Sequence, residues 1–143
     1  EFAIWYHDAV YDTKRNDNEE KSCLLAIEVV RKLRMSIIDF GQEVLHHIIA
    51  TKHSNPPIRP DTKIFIDIDL SILGKPEERF DKYEQQIRCE YNWVSEDKFS
   101  EGRSAILRSF LERDYVYSTD FFREKYETQA RRNIERSLKR LSA

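Results

Sequence analysis

The imidazole and carboxylate groups of this chain that lie in apolar surroundings are the ones that can do chemistry. His7 and Asp8 are adjacent in an opening segment that also carries Phe2, Ile4, Trp5, Tyr6 and Val10. A charged carboxylate is costly to bury without a partner, and a metal ion is one such partner. Neighbouring residues on a helix point about 100° apart, so both reach one ion only if it sits between their directions, most easily near a helix end. The polar loop that begins near Asp12 supplies such an end. The plainer reading of the pair is an ordinary hydrogen bond, and the dipeptide alone does not decide.

A second clue is Asp67-Ile68-Asp69, two carboxylates in the otherwise apolar run of residues 61–74. On a helix they point to nearly opposite sides, so at most one faces a shared site. Asp69 has Phe65 and Leu73 four residues away on either side, whereas Asp67 has Lys63 and Ser71. The expectation is that Asp69 lies on the apolar face, buried and in need of a partner, and Asp67 on a more polar one. A helix cap or an arginine pair would serve Asp69 as well as a metal; His7 and Asp8 move the balance toward metal.

Helices must position these groups. Residues 2–11 carry apolar groups on most sides and read as a buried helix, followed by a loop over residues 12–18. Asp17 and Asn18 are suited to cap a helix that runs to about residue 33, with Glu19 and Glu20 at its positive end. A helix over residues 36–51 shows Phe40, Val44, Leu45, Ile48 and Ile49 at helical spacing, and Asn55-Pro56-Pro57 must break it. Residues 61–74 read as a helix closed by Gly74 as a C-cap. Three amphipathic helices follow, near residues 77–93, 95–112 and 119–141. The fold class is therefore all-α, one helical domain over residues 1–143.

Composition agrees. Glycine and proline number only 3 and 4, and charged residues make up 35% of the 143, as in a helix-rich globular domain. No apolar stretch approaches the roughly 20 residues that span a bilayer. The 24 basic and 26 acidic residues are interspersed, so neither a nucleic-acid nor a membrane surface is indicated, and a small molecule or a protein is the expected partner. The two cysteines, Cys23 and Cys89, have no metal-ligand spacing; a reducing, cytoplasmic location fits. A homo-oligomer stays open.

Several ordered landmarks go beyond the His-Asp pair. Trp5-Tyr6-His7-Asp8-Ala9-Val10-Tyr11 is followed by Asp17-Asn18-Glu19-Glu20 with Ser22, by Ala50-Thr51 with His53, and by Asp67-Ile68-Asp69-Leu70-Ser71-Ile72-Leu73-Gly74. Further on come Tyr83, Ile87-Arg88, Glu90-Tyr91, Val94, Phe99, Gly102-Arg103, Ile106-Leu107, Phe110-Leu111, Arg113 and Tyr117. Over nearly its whole length the chain resembles the predicted metal-dependent phosphohydrolases of the HD superfamily.

That resemblance implies an HD-type helical bundle whose metal set is a first His, a His-Asp pair and a later Asp. His7, Asp8 and Asp69 match the last three. No histidine precedes His7, so the first ligand has no counterpart, and the expectation is that the amino-terminal segment carrying it is missing. The cofactor would be a divalent ion, manganese, magnesium, iron, nickel or zinc, which the mixed nitrogen and oxygen set does not distinguish. The substrate would be a small phosphorylated, nucleotide-like molecule. Asp8 would hold the metal during hydrolysis, with Glu19 or Asp12 orienting water, although a first-turn helix charge is the plainer role for Glu19. His53 and Arg103 would contact phosphate, whereas His46 and His47 read as flanking or surface residues. Arg88 and Arg113 match the same landmarks, but arginines on amphipathic helices usually form solvated ion pairs. The alternatives are a regulatory HD-type module without turnover and a structural helical domain in which His7, Asp8 and Asp69 simply hydrogen-bond.

Overall fold

The computed structural model describes residues 1–53 and 55–142. The fold is all-α, with no strand among the described residues and no helix long and apolar enough to cross a membrane. The helices are α1 (Phe2–Tyr6), α2 (Asn18–Lys32), α3 (Gln42–Ala50), α4 (Pro60–Asp69), α5 (Glu77–Glu90), α6 (Glu96–Leu111), α7 (Asp120–Phe122) and α8 (Thr128–Leu141). A π-turn, Ile37–Gly41, leads into α3; a 3₁₀ turn, Leu70–Gly74, continues from α4; a second π-turn, Arg123–Glu127, joins α7 to α8. Two compact units divide the chain, Glu1–Asp69 and Leu70–Ala143.

In the first unit α2 packs against α3, α1 rests on both, and α4 closes on α3. Its core is built from Ala26, Val30, Val44, Ile48 and Ile66, all nearly or fully buried. Helix α1 departs from expectation: it stops at Tyr6 rather than near residue 11, and Trp5 is 81% exposed. Competing hydrogen bonds end it. The His7 ring donates from Nδ1 to the Ile4 carbonyl at 2.9 Å, and the Val10 N–H donates to Ser22 Oγ on α2 at 3.0 Å.

The start of α2 also differs in detail. Asp17 occupies the N-cap position, but its carboxylate is held by Arg15 at 2.7 and 2.6 Å rather than by the helix N–H groups. Asn18 closes the preceding loop instead, its side-chain amide exchanging two hydrogen bonds with the Asp12 backbone at 3.0 and 2.9 Å. Helix α4 begins with Pro60, whose fixed φ and missing N–H suit a first turn.

In the second unit α8 packs on α6 and on the 3₁₀ turn, around fully or nearly buried Phe80, Leu107, Tyr117 and Ile134. Asn133, fully buried on α8, donates both amide hydrogens to the Leu73 and Lys75 carbonyls at 2.8 Å each. The carboxylate of Glu127 accepts the Val116 and Tyr117 N–H groups. Gly74 does close the helical run over residues 61–74, yet without a left-handed conformation, since no glycine has a positive φ. Its role is steric: a β-carbon there would lie 2.6 Å from Tyr126 Cβ and 2.8 Å from the Tyr117 hydroxyl.

Two glycine substitutions should therefore move stability in opposite directions. Gly74→Ala is expected to cost about 1–3 kcal/mol through overpacking. Gly102→Ala, in α6 with open space around its β-carbon, should gain about 0.5–1 kcal/mol of helix propensity. Urea denaturation of both variants checks this; a stable Gly74→Ala protein would contradict the steric account.

Candidate functional site

His7 and Asp8 sit in the turn that follows α1, where an end of a helix lets adjacent side chains converge. With Nδ1 donating to Ile4, the His7 ring presents Nε2 to two carboxylates, 3.3 Å from Asp8 Oδ2 and 3.4 Å from Asp69 Oδ1. The other oxygen of Asp69, Oδ2, lies 3.2 Å from His53 Nε2. Asp69 is thus shared by two imidazoles, one from the turn after α1 and one from the turn after α3. His53 adopts φ 53 to reach it, a left-handed backbone that costs a residue with a β-carbon about 1–2 kcal/mol.

The electrostatics follow from the geometry. Hydrogen bonding to Asp69, then to Asp8, outweighs partial burial and pushes the His7 imidazolium from 6.5 up to about 10. Burial works to raise Asp69, but hydrogen bonds from His53 and His7 overcome it and hold the carboxyl down at about 2. At neutral pH the cluster is an imidazolium bridging carboxylates.

Asp67 requires a correction. It is fully buried, whereas the side chain of Asp69 is 24% exposed. The four-residue neighbours misled because the α-helix ends at Asp69 and tightens into a 3₁₀ turn, so Leu73 does not lie one α-helical turn beyond it. Lys63, half-buried, is not on a solvent face either.

The other residues singled out by sequence fall elsewhere. Asp12 is exposed and accepts the Lys14 N–H on Oδ1 at 2.9 Å; Glu19 is half-buried in the first turn of α2. Among the described residues neither hydrogen-bonds to the cluster. Arg103 belongs to the second unit, where its guanidinium pairs with Glu84 and lies over the Tyr83 ring. Arg88 donates to the Tyr91 and Val94 carbonyls beyond the end of α5 and to Glu96. The Arg113 guanidinium lies over the Phe110 ring.

His46 is exposed, as expected of a flanking residue, but His47 is not one. Its side chain is 17% exposed, stacks on Phe65, and meets Thr62 Oγ1 through Nδ1 at 3.2 Å. Burial pushes its pKa down. Glu43 and Asp61 lie beside it. The available signal was the four-residue spacing of Glu43 and His47, which places them on one helix face.

The sign of the pH dependence is set by the two shifts. His7 is raised on folding, so its contribution is full below 6.5 and is lost as pH climbs toward about 10. Asp69 is depressed, so its contribution is full above 3.8 and is lost as pH falls toward about 2. Proton NMR titration of the metal-free protein should find His7 still protonated well above neutrality, and Asp69→Asn should bring its midpoint down. A His7 midpoint near 6.5 in the unaltered chain would refute the ion pair.

Comparison with protein-family models, with curated proteins and with solved structures finds no match to this chain.

Proposed function

We propose that this protein is a metal-dependent phosphohydrolase of the HD type, acting on a small phosphorylated, nucleotide-like molecule. The observation that carries this reading is the orientation of His7: Nδ1–H is spent on a backbone carbonyl, and Nε2 faces two carboxylate oxygens at 3.3 and 3.4 Å. The backbone bond on Nδ1 orients the ring as outer-shell hydrogen bonds orient metal-ligating imidazoles, and an ion would have to displace the Nε2 proton now held by Asp8 and Asp69. The donor set of one nitrogen and two carboxylates suits a divalent first-row ion or magnesium.

His7, Asp8 and Asp69 would hold the ion, which supplies Lewis acidity and hydroxide at neutral pH for phosphoester hydrolysis. Asp69 has a second task on this reading, because its Oδ2 orients the His53 ring. His53 is then the side chain placed to meet a phosphate oxygen. Asp8, 61% exposed, lies on the solvent side of the site, where a substrate enters.

A second reading has its own support. The His7 charge is already met by Asp8 and Asp69, which a helical module without turnover would also require.

Elemental analysis after equilibration with manganese, followed by a phosphatase screen over phosphomonoesters and nucleotides, separates the two. The expected result is retained metal and turnover, with Asp69→Ala lowering metal affinity at least about 100-fold, the upper end of what an outer-shell partner loses. Asp67→Ala should instead lower thermal stability, as expected for a fully buried and engaged carboxylate. No turnover, and metal content indifferent to Asp69→Ala, would leave the helical module as the better reading.

A further inference from the structure

A second group of ligand-bearing side chains lies in the first unit. Glu43 and His47 share one face of α3, and Asp61 stands in the first turn of α4, which packs against α3. One ligand atom from each falls within 4.8 Å of the other two. The His47 ring is fixed on one side by buried Thr62, 3.2 Å from Nδ1, and by stacking on Phe65. Its Nε2 faces Asp61 Oδ2 at 3.6 Å, beyond hydrogen-bond range, and makes no hydrogen bond among the described residues. Asp61 is oriented as well: Oδ1 accepts the Thr62 N–H at 2.9 Å, which leaves Oδ2 facing the imidazole.

These contacts resemble the way outer-shell hydrogen bonds aim metal ligands. Thr62 serves both ligands at once, through its hydroxyl and its backbone N–H. Two carboxylates brought this close need a cation, and Arg59 now fills that need, with both terminal nitrogens on Glu43 and Nη2 3.4 Å from Asp61. Arg59 is itself 44% exposed, so it can leave without uncovering a buried charge. The three ligands border an open pocket of about 260 Å³ that also touches Phe40 and Ile68, room for an ion and its water ligands.

We propose that Glu43, His47 and Asp61 form a second site, for a first-row divalent transition ion, with Arg59 as the cation that the ion displaces. The imidazole nitrogen is a ligand that cobalt, nickel, copper or zinc accepts more readily than calcium does, and the two carboxylates add oxygen donors. The site stands on its own residues and does not depend on the chemistry assigned to His7 and Asp69.

Cobalt(II) titration of the whole chain, followed by visible absorption and calorimetry, tests it in an Asp69→Asn background that disables the other cluster. One equivalent of cobalt should still bind. His47→Ala in that background should weaken binding at least about 100-fold, the upper end of what loss of an outer-shell partner costs, and His47→Gln or Asp61→Asn serves if the alanine variant does not fold. Arg59→Ala should tighten binding severalfold. Absence of cobalt binding in Asp69→Asn, or equal binding with and without His47, would overturn the site; weaker binding in Arg59→Ala would overturn the displacement.

Discussion

The carboxylate of Asp69 is the constraint around which the first unit is organised. It sits at the last residue of α4, mostly removed from water, and must find positive or hydrogen-bonding partners. It finds them in His7 and His53, from the turns after α1 and α3. Two separate stretches of chain are thereby tied to the end of α4. Helix α1 ends where it does partly because the His7 ring folds back on the Ile4 carbonyl, and His53 accepts a left-handed backbone to reach its oxygen. Local strain of that kind persists only where surrounding contacts over-determine it.

Phe65 links this cluster to the Glu43, His47 and Asp61 group. Its ring meets His7 edge-on at 5.9 Å and His47 nearly face-on at 5.4 Å. The ring is 7% exposed as a residue, so one apolar side chain supports both imidazoles while contributing no ligand to either. The two histidines nevertheless differ in charge state. Carboxylate hydrogen bonds hold the proton on His7, whereas burial disfavours it on His47.

Much of this was legible in the sequence. Helical spacing and the scarcity of glycine and proline give an all-α chain, and the breaks at Asn55-Pro56-Pro57 and Gly74 mark real ends of helical runs. The grouping of His7, Asp8 and Asp69 was expected from the resemblance to the HD superfamily, whereas burial alone would have picked out Asp67. What spacing could not convey is a change of helical pitch. The 3₁₀ turn after Asp69 invalidated a four-residue neighbour count and concealed the burial of Asp67. The π-turn at Ile37–Gly41 likewise opens the helix predicted over residues 36–51 with a wider turn. Nor could spacing reveal that His47 turns toward Thr62 and Asp61, since that depends on how α3 meets α4.

Charge arithmetic bears on what these clusters can accept. At the first, the carboxylates of Asp8 and Asp69 face the His7 imidazolium, and Asp69 also faces the His53 ring. A phosphate approaching that surface meets repulsion unless a cation stands between, because like charges a few ångströms apart disfavour each other strongly away from bulk water. At the second, one Arg59 guanidinium faces the two carboxylates of Glu43 and Asp61. On the reading proposed for each cluster, such carboxylates would favour a divalent cation over a directly bound anion. For the first cluster, the proposed phosphorylated substrate would need such a cation, so that acceptance of phosphate and retention of metal would stand or fall together.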